Sequence, residues 1–146
     1  MTRPRALYVA EPAAQYMAQL PLVVDCSVIA AVLFDEAERD EALQQLSQRQ
    51  LWAPRLLDHE IVNVAVRKQR QGLPASVVQR ALADYRQHGV ELVETHLEQQ
   101  FAIAMRYELS AYDAAYLWLA AELRAPLATF DRKLNKASLQ HLRSLE

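Results

Sequence analysis

Two short apolar segments of this chain each end at a single aspartate. Leu22–Val24 is followed by Asp25, and Pro126–Phe130 is followed by Asp131. Short continuous apolar runs are typical of strands that are buried on both faces of a parallel sheet. Because ligands of such sheets bind beyond the carboxyl ends of the strands, we expect both carboxylates at the functional edge of an α/β fold.

The rest of the chain alternates between helix-like and strand-like patterns. We predict strands at 22–24, 51–53, 90–93 and 126–130, and helices at 28–34 continuing over 36–48, 56–71, 74–88, 97–109, 110–123 and 132–137. Strands that alternate with helices predict a mainly parallel sheet. The helix over 110–123 is almost wholly apolar, so we expect it to be buried on most of its surface.

Composition excludes several classes of protein. A chain of 146 residues with 52% hydrophobic residues suits one folded domain. Its two glycines, Gly72 and Gly89, are too few and too far apart for a P-loop or a Rossmann fingerprint. The single cysteine, Cys26, rules out an intramolecular disulfide and a cysteine-based zinc site. A net charge of -2 argues against a broad nucleic-acid-binding surface that acts by charge alone.

The first twenty residues differ in character from the rest. We assign 1–20 to an N-terminal leader or extension, either disordered or an added element, and 21–146 to the domain; Met17 is an alternative start. Glu11 and Pro12 interrupt the apolar stretch of the leader, which is too short for a secretory signal. No apolar run approaches the ~20 residues that span a bilayer. We therefore expect a cytoplasmic protein without a membrane partner.

Two further acids lie in apolar surroundings. Glu60 is near the start of one predicted helix, and Asp113 opens the most apolar one. If they converge with Asp25 and Asp131, two carboxylates ~5–6 Å apart repel by about 3 kcal/mol at an effective dielectric of about 20. Magnesium or manganese would relieve this repulsion, because hard cations favour carboxylate and water ligands. Such an ion can activate water for phosphodiester hydrolysis.

Each acid also has a structural interpretation. Asp25 and Asp131 suit helix N-caps, and Asp113 suits the acid of a capping box. Asp58 is an alternative to Glu60, and the two side chains would point to different faces of a helix. As an ordered set, the four acids favour a functional site.

Other polar and aromatic residues are less specific. Arg132 and Lys133, which follow Asp131, are candidates for contact with a phosphate or simply the solvated start of a helix. The basic cluster at 67–70 is equally a candidate for RNA backbone contact and an ordinary helix C-terminal cluster. We predict that the aromatic residues lie in the core rather than stack on bases: Trp52, Tyr112, Tyr116 and Trp118. Cys26 is predicted to be a buried structural residue.

Three motifs and the embedded Glu60 together resemble a PIN domain, and more narrowly the VapC-like toxins of bacterial toxin–antitoxin pairs. The motifs are Val23–Ser27, Leu109–Leu117 and Leu127–Leu134, and the resemblance covers roughly 22–137. It implies a three-layer α/β/α sandwich with a mainly parallel sheet and an acidic site at the carboxyl ends of the strands.

The resemblance also implies roles for individual residues. Asp25, Glu60, Asp113 and Asp131 would be an acidic quartet that is both catalytic and a ligand set for magnesium or manganese. Ser27 and Thr129 would be supporting groups that orient carboxylates or water. The implied activity is endonucleolytic cleavage of RNA. The implied partners are an antitoxin that inserts a basic segment into the acidic cleft and a second copy of the chain in a homodimer.

Alternative functions remain open from sequence. A catalytically weak or inactive PIN-like binding module would usually have lost an acid, whereas all four positions are filled here. A different metal-dependent phosphoesterase is also compatible with the acids. An aspartyl-phosphate phosphatase would need a second acid where Ser27 stands. The sequence departs from the family at 138–146, which lacks a closing apolar strand and has helical spacing instead.

Overall fold

Four parallel strands form the centre of the protein. The computed structural model describes residues 19–146, so the predicted leader lies almost entirely outside the described residues. The strands are β1 (Leu20–Val24), β2 (Arg49–Pro54), β3 (Glu91–Val93) and β4 (Leu127–Ala128). Their order in the sheet is β3-β2-β1-β4, and every neighbouring pair is parallel. The prediction of a parallel α/β fold is therefore confirmed.

Seven helices surround this sheet in the described part of the chain. They are α1 (Cys26–Leu33), α2 (Arg39–Leu46), α3 (Leu57–Arg70), α4 (Ala75–Gln87), α5 (Leu97–Tyr107), α6 (Ala111–Leu123) and α7 (Arg132–Arg143). Helix α6 lies against β1, β2 and β4, and α5 and α7 pack beside it, whereas α1 contacts α2, α3 and α4. These two helical groups with the sheet make the three-layer α/β/α sandwich that the resemblance implies. No helix within residues 19–146 combines the length and apolarity needed to cross a bilayer.

Helix α6 is the central element of the core. Ser110 caps its start, because the Ser110 hydroxyl accepts a hydrogen bond of 3.1 Å from the backbone N–H of Asp113. Every residue from Ala114 to Ala120 is buried. Its polar first turn therefore lies at the sheet edge while its body is enclosed, and this fixes the position of Asp113 relative to the strands.

The structure corrects three predicted element boundaries. The helix predicted to continue from 28–34 over 36–48 is interrupted, because Asp35 adopts a positive φ of 51° and the Glu36 N–H bonds back to the Ala31 carbonyl. The strand predicted over 126–130 comprises only Leu127–Ala128. The C-terminal helix runs to Arg143 rather than ending at 137, in agreement with the helical spacing seen at 138–146.

Candidate active site

Asp25 is the most buried acid of the site. It directly follows β1 and caps α1, accepting a hydrogen bond of 3.3 Å from the Val28 N–H. The Ser27 hydroxyl donates to its Oδ1 at 2.6 Å and the Thr129 hydroxyl donates to its Oδ2 at 2.5 Å. Only 6% of Asp25 is exposed. Burial raises the pKa of its carboxyl, although these hydrogen bonds oppose the rise.

The segment after β4 is attached to the end of β1 by the same two hydroxyls. The Ser27 Oγ accepts a bond of 3.0 Å from the Phe130 N–H, and the Thr129 Oγ1 accepts a bond of 2.9 Å from the Asp131 N–H. Asp131 in turn caps α7, because its Oδ1 accepts a hydrogen bond of 2.7 Å from the Leu134 N–H. The residues predicted as supporting groups thus connect the first acid to the last.

Glu60 approaches the same edge from the first turn of α3. Its Oε1 accepts a hydrogen bond of 2.6 Å from the hydroxyl of Tyr116 on α6. Burial raises the pKa of the Glu60 carboxyl, and the nearby charges of Asp25 and Asp113 raise it further. Glu60 is therefore electrostatically coupled to two other acids of the predicted quartet.

The structure separates Glu60 from its alternative. Asp58 accepts a hydrogen bond of 2.8 Å from the hydroxyl of Tyr85 on α4, in the other helical group. The two acids thus bond to different helices, as their separation by two residues predicts. Of the two, Glu60 is the one that lies with Asp25 and Asp113.

Asp113 completes the arrangement from the first turn of α6. Burial raises the pKa of its carboxyl, and the charges of Asp131 and Asp25 add to the effect, while Lys133 opposes it. All four predicted acids therefore lie at the carboxyl edge of the sheet, each near at least one other. Three of them have raised pKa values, chiefly because of burial, and repulsion from neighbouring acids adds to the rise at Glu60 and Asp113.

Comparison with known families gives a single answer. A family model described as PIN domain matches residues 22–139. The chain belongs to the PIN-domain family. Among its relatives, Ribonuclease VapC3 of Pyrobaculum aerophilum is 31% identical over 121 residues, which cover 79% of this chain and 92% of that protein. Ribonuclease VapC9 of Mycobacterium tuberculosis is 34% identical over 115 residues, which cover 78% of this chain and 88% of that protein.

A solved structure agrees with this PIN fold. The crystal structure of PAE2754 from Pyrobaculum aerophilum superimposes with a TM-score of 0.66 and covers 87% of this chain and 90% of that one. The two sequences are 22% identical, so this likeness bears on the fold alone. The resemblance to VapC-like PIN domains is therefore confirmed by the sequence matches, and the structural match agrees with the fold.

The donor set of this PIN domain suits a hard divalent cation, but the cation would need water ligands. Among residues 19–146, no three His, Cys, Asp or Glu side chains are arranged to hold one metal ion directly. Mg²⁺ commonly keeps several waters and binds through only one or two carboxylates. These carboxylates would therefore fit a partly hydrated ion.

The two basic residues after Asp131 differ in their surroundings. The Lys133 ammonium donates to the Glu108 carbonyl at 2.5 Å and lies near enough to Asp113 to lower the pKa of that carboxyl. Arg132 is the exposed first residue of α7. Lys133 therefore already compensates part of the acidic charge, and Arg132 is the more available of the two for a phosphate.

Cys26 is next to Asp25, but its thiol is a poor nucleophile. Burial, reinforced by the charges of Glu60 and Asp25, raises the pKa of its thiol to about 12. The nucleophilic form of cysteine is the thiolate, which is negligible at neutral pH under these conditions. Cys26 is half-buried rather than buried as predicted, and its raised thiol pKa agrees with the structural role.

Sequence reasoning missed two tyrosines of the site. Tyr116 is buried, with 1% exposed, as predicted for a core residue, yet its hydroxyl binds Glu60. Its position three residues after Asp113 on one helix is a signal that could have shown this. Tyr112 is 63% exposed, so its assignment to the core is wrong. It directly precedes Asp113 within the first turn of α6.

Proposed function

We propose that this PIN domain is a metal-dependent endoribonuclease and the toxin of a toxin–antitoxin pair. The observation that carries the proposal is the set of electrostatically coupled carboxylates at one sheet edge. Its relatives named VapC ribonucleases, at 31% and 34% identity over most of the chain, support the same activity. The substrate would be RNA, cut at its phosphodiester bonds.

The acids would hold Mg²⁺ or Mn²⁺. The set comprises Asp25, Glu60, Asp113 and Asp131. When bound, the ion supplies an activated water and neutralises charge that develops on the phosphate oxygens. The chain's own hydroxyls keep the carboxylates in place, because Ser27 and Thr129 hold both oxygens of Asp25 and Tyr116 holds Glu60. Positioning of this kind commonly changes metal affinity or activity by about 10–100-fold.

Ionisation of the acids is part of this function. Carboxylates bind metal in their ionised form, whereas burial favours protons on Asp25, Glu60 and Asp113, and repulsion adds to this at Glu60 and Asp113. Cation binding therefore releases protons and tightens as the pH rises.

The proposal extends to partners and location. An antitoxin would cover the cleft and place a basic side chain among the carboxylates, where Lys133 supplies only part of the compensating charge. A homodimer in the cytoplasm would follow the pattern of the family. Three exposed apolar side chains at four-residue intervals on α5 support contact with a second copy: Leu97, Phe101 and Met105.

Cleavage assays with matched variants test the activity. We expect the purified protein to cut single-stranded RNA with Mg²⁺ or Mn²⁺ and to stop when EDTA is added. Asp25→Asn should reduce the rate by up to about 10³-fold, on the scale seen when one preorganised electrostatic group is lost. Glu60→Gln should also inactivate. Asp58→Asn is the control and should cut normally, because Asp58 bonds to Tyr85 instead.

Two results would contradict this assignment. Full metal-dependent cleavage by Asp25→Asn would show that the chemistry lies elsewhere. RNA binding by the wild-type protein without cleavage under any divalent cation would favour a binding module.

A further inference from the structure

A groove opens directly beside Glu60, between α3 and the start of α6. Its volume is about 580 Å³, within the range of small-ligand sites. The apolar side chains of Val62 and Val66 line it, and both are exposed to solvent. Because Glu60 is itself part of the lining, the groove is continuous with the carboxylates.

One aromatic ring stands at the rim of this groove. Tyr112 lines the groove with 63% of its surface exposed, and it is the immediate neighbour of Asp113. Among the described residues, no second aromatic ring or cation stacks on it. An aromatic face open to solvent beside a phosphodiester-cutting site is the feature on which single-stranded RNA bases stack.

Polar side chains on α3 accompany the ring. His59 and Asn63 line the same groove. The Asn63 amide has two donors and an acceptor, which match the hydrogen-bonding edges of a base. The groove thus combines a stacking face, apolar walls and a polar group that can discriminate between bases.

The same face of α3 carries a basic side chain, Arg70, in its last turn. His59, Asn63, Val66 and Arg70 follow one another at intervals of four, three and four residues, so they share one side of the helix. Arg70 is exposed in the last turn. Its neighbour Lys68 is already paired with Glu36 at 3.4 Å, which leaves Arg70 as the freer cation for an RNA phosphate.

We propose that this groove is a nucleobase subsite. It receives the base of a nucleotide next to the scissile phosphodiester. Tyr112 stacks on that base, Asn63 reads its edge, and Arg70 binds a phosphate further along the strand. The subsite rests on the proposed ribonuclease function and gives it a source of sequence preference.

Binding of a short RNA tests the subsite without cleavage. On the Asp25→Asn background with Mg²⁺, the probe is a fluorescein-labelled single-stranded oligoribonucleotide of mixed sequence, followed by anisotropy. Tyr112→Ala should weaken binding by about tenfold, on the scale of one lost base stack. Tyr112→Phe should stay within about twofold of the parent, because it keeps the ring. Leu139→Ala, which trims an exposed apolar residue on α7, is the control and should have no effect.

Two further variants test the path along α3. Arg70→Ala should weaken binding and reduce the slope of log affinity against log salt by about one, whereas Arg143→Ala on α7 should not. In the otherwise wild-type protein, Asn63→Ala should change the base preference at the cleavage site while metal-dependent cutting continues.

The outcomes separate this proposal from the one that it rests on. If the wild-type protein cuts RNA and the Tyr112→Ala variant binds and cuts RNA equally well, the subsite proposal is wrong. The proposed ribonuclease function is then unaffected. If Tyr112→Ala leaves RNA affinity unchanged but alters the sedimentation coefficient of the protein, the groove is a contact between copies and the subsite is wrong. If the wild-type protein neither binds nor cuts RNA, both proposals fall.

Discussion

The ends of β1 and β4 carry the same local motif in different surroundings. Asp25 and Asp131 each follow a strand, and each caps a helix by accepting from the N–H three residues later. Asp25 is buried and receives two additional hydroxyl donors, whereas Asp131 is exposed. The cap motif therefore sets where a carboxylate points, and burial sets how strongly that carboxylate would interact with the proposed cation.

RNA cleavage assays are the most direct test of this difference between Asp25 and Asp131. Asp131→Asn should lower the RNA cleavage rate by about tenfold, against about 10³-fold for Asp25→Asn. A charge close to solvent is screened, whereas one at low dielectric interacts more strongly. Single-turnover cleavage at saturating Mn²⁺ measures both variants. Equal losses of cleavage rate would show that burial does not determine how much each carboxylate contributes to cleavage.

The hydroxyl that joins the two regions should have an intermediate effect. Thr129→Val keeps the shape of the side chain but removes the bond to Asp25 and the bond from the Asp131 N–H. We expect a loss of about 10–100-fold in cleavage or in Mn²⁺ affinity. Isothermal titration with Mn²⁺ measures the affinity. Thr129→Ser, which retains a hydroxyl, is the control and should keep most of the cleavage activity and Mn²⁺ affinity.

The melting temperature without metal should distinguish the two acids. In the fold, the pKa of Asp25 is raised, so the folded state binds its proton more tightly than the unfolded chain does. Ionisation of Asp25 therefore destabilises the fold as the pH rises through its unfolded and folded pKa values. Asp25→Asn removes this cost and should raise the melting temperature in EDTA at neutral pH.

The corresponding change at Asp131 should be nearly neutral. Asparagine is as good an N-cap as aspartate, so Asp131→Asn should leave the melting temperature almost unchanged, while Asp131→Ala should cost about 1 kcal/mol. Thermal unfolding in EDTA at neutral pH and near pH 4 measures all three variants. The advantage of Asp25→Asn should shrink at the lower pH, and a constant advantage would contradict the titration argument.

Much of this arrangement could be predicted from sequence because its signals are local. A strand that ends at an aspartate, a capping serine at 110 and an uninterrupted apolar stretch in α6 each leave a pattern in a few residues. Together they place Asp25, Asp113 and Asp131 at element ends, and the parallel topology brings element ends to one edge.

The features that sequence could not decide depend on tertiary partners. The assignment of Glu60 rather than Asp58 depends on which tyrosine each acid meets, and Tyr116 and Tyr85 lie on helices far away in the chain. The helical interruption after α1 depends on the left-handed backbone conformation of Asp35. The sequence has no glycine at this position to indicate that conformation. Tyr112 has the apolarity of a core residue but lies in the exposed first turn of α6.

The shortness of β4 has a consequence for motion. With only two residues in the sheet ladder, the segment that carries Thr129 and Asp131 is retained largely by side-chain bonds to Ser27 and Asp25. Local opening needs far less free energy than global unfolding where few backbone bonds must break. The amide protons of Phe130 and Asp131 should therefore exchange with solvent faster than those of α6, and a bound divalent cation should slow their exchange. If the proposed cation binds, its occupancy and the local opening of this edge strand would therefore be coupled.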